Sequence, residues 1–484
     1  MLQRDRASLF TLALAGTLGM TTAAPAQEVT KSAAPPKPVA TQVRELSLDP
    51  APEPRPALRY RLFPLASERT PGDAAPVYLR LRHETKDARM EQIREKADAW
   101  LAVPLAEFPT AEAREFLDTL SYRTDQLRFG ARRQTCDWNY TLPEQAEHAI
   151  EILLPDAQEM RKWGSLLAIK ARCEVAERRY DEAVRTCETG LAFAEHVAEG
   201  PFAINFLVAA AIAQSMLDRV EELIAQPGAP NLYWALSALP RPVISLRRGA
   251  ETEQRVGEMV VPEVADLDRP RTKAEWSSRL DRLIERTNRL AGTLRETGGD
   301  ANLAGEVDPA RFKAESLPAA REYLRQRGLA DESITDDRAL VLSIAWTYRE
   351  VRDDTFKTFY LPFAEATALQ AKSDGPGKSK LGGPAAVLAA LDPASPSALA
   401  LAQLRPERRV AALRVVEALR MTAASDGGKL PASLDAVTIV PIPPDPATGK
   451  PFEYRLEGDA AFLVGPTTQH IPPPGISYRI TIRN

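Results

Sequence analysis

Ala171-Arg172-Cys173-Glu174-Val175-Ala176-Glu177-Arg178-Arg179-Tyr180-Asp181-Glu182-Ala183-Val184 is the stretch that reads most plainly as structure. Upstream, Trp163, Leu166, Leu167, Ile169 and Val175 recur at the steps of a helix with one apolar face. That run starts beyond Pro155, with Asp156 placed to cap free N–H groups. The charged Glu177-Arg178-Arg179 interrupts it. From Asp181 a second run passes through Ala183, Val184, Leu191 and Phe193 to Gly200-Pro201, a pair that stops helices. The sequence therefore predicts a helical hairpin. Such a hairpin cannot bury its apolar faces alone, so further helices are expected beside it.

Ala171, Tyr180, Ala183 and Gly190 stand where a tetratricopeptide (TPR) hairpin has its small residues and its tyrosine, and the segment resembles that family. It departs at Lys170 and Glu174, where the family prefers apolar residues, and no further copy follows at the family's period. The resemblance implies close helix packing in an irregular TPR-like array.

Working outward, Phe206 to Ala213 is apolar but too short to span a bilayer and continues into Asp218, Arg219, Glu221 and Glu222, which reads as a buried helix. Trp276, Leu280, Leu283, Leu290 and Leu294 form a stripe with a gap at Thr287, the pattern of a bundle helix. Another helix is expected from about Asp337 to Ala371, interrupted or bent near Pro362. Leu58, Tyr60 and Leu62 alternate with Arg59 and Arg61 up to Pro64, predicting a short strand. Beyond Ser373-Asp374-Gly375-Pro376-Gly377 a helix is expected from about Pro406 to Ser425. After it, Phe452, Tyr454 and Leu456 lead through Gly458-Asp459 into a hairpin, and Ile476, Tyr478, Ile480 and Ile482 alternate as a last strand. The fold class expected is mainly α: a helical array over 58–370 with a short N-terminal strand, a flexible linker over 371–400, and a C-terminal α+β module over 401–484.

Residues 1–26 read as a signal peptide: Arg4 and Arg6 precede the apolar run Leu9 to Met20, and Ala24-Pro25-Ala26 offers a cleavage site before Gln27. Residues 27–57 read as a disordered Pro/Ala-rich spacer. The expectation is an exported protein, periplasmic or extracellular, with no stable membrane insertion after cleavage. Across 484 residues, 62 basic and 66 acidic side chains nearly cancel, which argues against nucleic acid as a partner. The plan as a whole resembles exported helical proteins common in planctomycete bacteria. The words that carry the resemblance are Cys136-Asp137-Trp138, Pro230-Asn231-Leu232-Tyr233-Trp234, Phe359-Tyr360-Leu361-Pro362 and Asp445-Pro446-Ala447-Thr448-Gly449-Lys450-Pro451. It implies export and a helical fold and carries over no catalytic residues.

The chemistry-bearing patterns are sparse. Gly377-Lys378-Ser379 and Thr448-Gly449-Lys450 lack the earlier glycine of a phosphate loop, with Lys372 and Pro444 in its place. Glu144, His148 and Glu151, and Glu195, His196 and Glu199, space a histidine and carboxylates along a helix, but two ligands do not make a metal site. His83 and His470 stand apart. Cys136 has no neighbouring base, and Asp137 beside it opposes a thiolate. No catalytic, metal or cofactor residues are assigned, and no cofactor is expected. Cys173 and Cys187 flank the hairpin turn and are the candidate disulfide, with Cys136 left over; the alternative is three buried free thiols, since bridging needs Cα atoms within about 7 Å, closer than most helix pairs allow. Trp163, Tyr180, Phe206, Tyr233 and Trp234 could line a groove for a protein or peptide partner, the alternative being that they pack in the core. The function expected is that of a non-enzymatic interaction or scaffold protein of the cell envelope. The alternatives are a secreted hydrolase using acidic residues in a helical cleft and a small-ligand-binding helical domain.

Overall fold

The computed structural model describes residues 43–83, 88–139, 149–296, 307–329, 333–370, 383–390, 396–466 and 475–483. The predicted signal peptide, residues 27–42 of the spacer, and residues 371–382 and 391–395 of the linker lie outside them. In chain order the elements are β1 (Arg44–Leu48), β2 (Thr70–Asp73), α1 (Ala75–His83), α2 (Ala88–Trp100), α3 (Thr110–Asp118), α4 (Ser121–Ala131), β3 (Arg133–Thr135), α5 (Ala149–Ala176), α6 (Tyr180–Ala198), α7 (Ala203–Ile224), α8 (Tyr233–Ser237), α9 (Arg247–Val260), α10 (Lys273–Glu296), α11 (Pro309–Gln326), α12 (Asp336–Phe356), α13 (Phe363–Gln370), α14 (Gly383–Ala390), α15 (Pro396–Ser425), β4 (Glu453–Glu457), β5 (Ala460–Gly465) and β6 (Ile476–Ile482). The described residues are mainly helical with a small mixed sheet at the C-terminal end. They divide into two compact units, a larger one within Ala24–Tyr140, Ile152–Gly249 and Ser397–Asn484 and a smaller one within Ala250–Pro396. This differs from the predicted division, which kept 58–370 in one array and 401–484 in a module of its own.

In the larger unit the predicted hairpin is α5 and α6, turning at Arg178 with φ 59°. Helix α5 passes through Pro155 rather than starting after it, since proline's fixed φ is itself helical and costs the helix one hydrogen bond. Helix α7 packs on both. A Cβ at Gly164 of α5 would lie 2.5 Å from Ile212 Cγ1, and one at Gly190 of α6 would lie 2.2 Å from Met216 Sδ, so glycine at both positions lets the helices close up. Phe206, Ala209, Ala213, Met216, Leu217 and Val220 of α7 are fully buried. By length and composition α7 is able to cross a membrane, but most of its apolar stretch is buried inside this unit, as in a core helix. Helix α15 begins about ten residues sooner than predicted, with Pro406 inside it. Its Ala412, Leu413, Val415, Val416, Ala418 and Leu419 bury it on nearly all sides.

The main sheet runs in the order β1-β6-β5-β4. The predicted hairpin is β4 and β5, antiparallel, with β6 antiparallel to β5. Against expectation, β6 also pairs in parallel with β1, with Leu46 opposite Ile480 and Leu48 opposite Ile482. The stretch predicted to be the end of a disordered spacer is thus a sheet strand. Leu46 and Leu48 turn inward and are 6% and 0% exposed, while Glu45 and Ser47 face out. No strand forms at 58–62, where Leu58 is exposed and Leu62 alone is buried; prolines at 56 and 64 withhold ladder donors on either side. A second, two-stranded parallel sheet joins β2 to β3.

The smaller unit has its own apolar core. Trp276, Leu280, Leu283 and Ile284 of α10 meet Leu340, Val341, Ile344 and Tyr348 of α12, with Leu324 of α11 and Leu388 of α14. The gap in the predicted stripe, Thr287, is buried and returns its hydroxyl to the Leu283 carbonyl (2.8 Å). The helix predicted to run from 337 to 371 ends at Phe356, and a short 3-10 turn over Lys357–Tyr360 leads to α13. Arg279 donates to the carbonyls of Glu263 (2.7 Å) and Pro262 (2.8 Å), fixing the turn before α10.

Candidate functional site

The aromatic residues that could line a groove do not form one. Trp163, Phe206 and Tyr233 are fully buried and fill the core of the larger unit. Tyr233 donates to the Pro441 carbonyl and accepts from Arg414 (3.0 Å), which ties α8 to the segment before the sheet. Tyr180 and Trp234 are half-buried and each is held at its polar end, Tyr180 by the Pro227 carbonyl (2.9 Å) and Trp234 by Glu53 (2.6 Å). Large aromatic side chains bury well in a core and serve equally well in a groove, so residue type alone did not separate the two.

The three cysteines are free and buried. This is the alternative to the candidate Cys173–Cys187 bridge, which does not form: Cys173 faces the Thr110 carbonyl and Glu177, and Cys187 faces the Met216 carbonyl on α7. Close-packed helices still hold side chains pointing into different neighbours, and a disulfide needs both Cβ vectors to converge. Burial, then the charge of Asp73, pushes the Cys136 thiol up. Beside it, the Tyr78 hydroxyl and Nδ1 of His196 share a hydrogen bond (2.9 Å), and Trp138 Nε1 donates to the His196 carbonyl (2.8 Å). Burial, then Arg69, pulls the His196 imidazole down to about 4. Thiol, phenol and imidazole are all neutral near pH 7, so this cluster packs the end of α6 against α1 and β3 and offers no activated nucleophile.

The other sequence patterns are also structural. Glu195 pairs with Arg69 (2.6 Å) and Glu199 with Arg248, so neither turns with His196 toward a common point. Among the described residues no three His, Cys, Asp or Glu side chains gather to hold a metal ion. Glu144, His148 and Gly377-Lys378-Ser379 lie outside the described residues. The Thr448-Gly449-Lys450 turn folds on Asp445, whose backbone carbonyl accepts from Gly449 N (2.8 Å) and whose carboxylate takes Arg408 at 2.9 and 2.7 Å. The Pro230-Asn231-Leu232 segment is gripped by α15. Asn231 donates to the Glu417 carbonyl (2.9 Å), Leu232 N donates to the Glu417 carboxylate (2.8 Å), and Arg420 donates to the Ala229 carbonyl (2.8 Å). A shallow concavity of about 440 Å³ lies along Leu434–Ile442, lined by aliphatic side chains with Asp435 as its one carboxylate.

What remains is a surface. Thr124, Leu127, Gly130 and Ala131 bury one side of α4, which packs on α1 and α6. A Cβ at Gly130 would lie 2.5 Å from the Tyr78 ring, so the helix sits tight on this neighbour. Its other side presents Tyr122 (52% exposed), Phe129 (47% exposed), Asp125, Arg128 and Arg132. Tyr122 and Phe129 are two turns apart and share a face. Arg133, anchored on the Pro71 carbonyl (2.5 Å), lies 4.4 Å from the Phe129 ring centre. Arginine and aromatic side chains together are the composition of binding surfaces, since they join apolar area to directed donors. The sequence signal was present in Tyr122, Phe129 and the arginines between and after them, but a helix with a glycine and few apolar residues drew no attention. No protein-family model, curated protein or solved structure matches the chain.

Proposed function

We propose that the protein is an exported, non-enzymatic interaction or scaffold protein of the cell envelope. The observation that carries this reading is the α4 face, where two exposed aromatic rings stand among arginines on a helix whose other side is locked into the body. Three buried carboxylates of the larger unit support it, because Glu221, Glu417 and Asp445 are each taken up by an arginine rather than turned to a cleft. The packing of α5, α6 and α7 through Gly164 and Gly190 supports a TPR-like manner of assembly. Export rests on the pattern Arg4, Arg6, Leu9 to Met20 and Ala24-Pro25-Ala26.

Two measurements test it. Expression of the whole chain in a bacterial host, with fractionation and mass spectrometry, should yield a periplasmic or secreted product beginning at Gln27; an intact leader in the membrane fraction overturns export. Chemical cross-linking of the purified mature protein to envelope extracts should give discrete, reproducible adducts. No adduct, together with turnover of polymeric envelope substrates, overturns the interaction reading.

A further inference from the structure

We infer that the exposed face of α4 binds an acidic polypeptide segment, one that sets carboxylates against Arg128 and Arg132 and an apolar side chain against Tyr122 and Phe129. The inference rests on the interaction reading above and names the chemistry of the partner.

Charge complementarity carries it. Other arginines in this part of the larger unit are committed: Arg61 to Glu68 (2.6 Å), Arg69 to Glu195 (2.6 Å) and Arg114 to Glu177. Among the described residues Arg128 and Arg132 have no ion-pair partner. Arg132 lies within electrostatic reach of Glu68 and Glu188, but Glu68 is already held by Arg61, and Glu188 also faces Arg61 and Arg185. From Ser121 to Thr135 there are four arginines and one acid, Asp125, in a chain whose net charge is −4. The face is therefore basic on an acidic protein, which directs an acidic partner here and repels it elsewhere.

Geometry narrows the class. Arg128 and Arg132 are one turn apart on one side of the helix, a spacing of about 5–6 Å between their Cβ atoms. Planar guanidinium groups take carboxylates two-pronged, and Arg133 beneath Phe129 keeps one face of that ring covered while the rest stays exposed. A duplex backbone offers charge without apolar area for Tyr122 and Phe129, whereas a polypeptide offers both. An anionic bilayer, whose interface takes both aromatic rings and arginines, is told from a polypeptide by the vesicle arm of the test below.

The test is fluorescence anisotropy on the full mature protein, with a labelled peptide of Glu-Glu-Phe repeats, its Gln-Gln-Phe counterpart, duplex DNA, and vesicles of phosphatidylglycerol. The expected result is saturable binding of the acidic peptide that weakens as salt rises, with the other three bound at least about tenfold more weakly. The double variant Arg128→Glu/Arg132→Glu should lose about tenfold or more, Tyr122→Ala/Phe129→Ala a smaller but measurable amount, and Arg128→Lys/Arg132→Lys should keep part of the binding. Unchanged thermal melting of each variant shows that the body is intact. Equal binding of the Gln peptide, tighter binding of DNA or vesicles, wild-type binding by the Glu variant, or no peptide binding at low salt would each overturn the inference. The two readings separate in cross-linking. Envelope adducts formed equally by wild type and by Arg128→Glu/Arg132→Glu remove the α4 inference and leave the interaction reading standing, whereas their absence from both removes the wider reading.

Discussion

In the larger unit Arg420 and Glu417 are both completely buried 2.9 Å apart, and Arg409, itself 5% exposed, meets Glu221 and Tyr478 beneath the sheet. These polar groups join distant parts of the chain: Arg409 and Glu221 are 188 residues apart, and Arg420 and Ala229 are 191 apart. In the smaller unit the buried Arg279 reaches the Glu263 carbonyl over only 16 residues, and the links that join distant segments, Arg349 and Arg352 to Glu258 over 91 and 94 residues, are 13–24% exposed rather than buried. Its buried polar side chains, among them Glu263, Arg279 and Thr287, sit beside a large apolar cluster and bind within their own stretch of chain. The difference is one of addressing. Helices α7 and α15 are so uniformly apolar that burial alone does not fix which faces meet, and a buried ion pair penalises every arrangement in which one charge is left unmatched. Helices that follow one another closely in sequence need less of that selection.

The largest expected effect tests this directly. Glu221→Ala strips the buried Arg409 guanidinium of its buried partner on α7 and should cost about 3–5 kcal/mol by denaturant unfolding. Replacing both partners together, Glu221→Leu with Arg409→Met, should cost less than the single change. A single substitution costing under ~1 kcal/mol would remove the addressing argument. In the smaller unit, Leu280→Ala should cost about 2–5 kcal/mol through the cavity it leaves. A measured loss near zero would show that the core around Trp276 does not close as described.

A third prediction concerns acid. The folded His196 imidazole titrates at about 4, whereas the unfolded ring titrates at its ordinary value of 6.5. As pH falls below 6.5 the unfolded chain takes up a proton that the folded chain refuses. The contribution of this ring is therefore fully present above 6.5 and is lost as pH falls toward 4, by about 3 kcal/mol in all. His196→Gln, which keeps a hydrogen-bond partner for Tyr78 and removes the titration, should flatten the stability curve across that window. Parallel curves for the variant and the wild type would assign the acid sensitivity to another group. The smallest effect is expected at the surface: Tyr122→Ala and Phe129→Ala should each change stability by no more than about 0.5 kcal/mol, and a larger loss would make that face part of the core.

Much of the helical plan was legible because it is periodic. Trp163, Leu166, Leu167, Val175 and the Glu177–Arg179 interruption located one hairpin, and Trp276, Leu280 and Leu283 located the inward face of α10. The strand pattern from Phe452 to Ile482 was equally direct. Strand β1 was not, since two inward leucines in a proline- and alanine-rich context carry no sign of a partner far along the chain. The units were misdivided for the same reason: Arg409, Glu417 and Arg420 look like surface charges of an ordinary helix until the segments they bind are known. At the candidate site the would-be groove residues went to the core, and the exposed face of α4 was passed over. Both faces of α4 are short on apolar residues, and the one that packs does so through Thr124, Gly130 and Ala131.

The pairing of β1 with β6 sets an order of events. Arg479 meets Glu45 and Arg483 meets Asp49 across 434 residues, so the edge of the sheet is assembled from the first and last described elements. A ribosome must pass Ile482 before that edge is complete. Until then α7, with a membrane-like apolar surface, waits without α15 above it, and prematurely terminated chains should be the ones that aggregate or recruit chaperones.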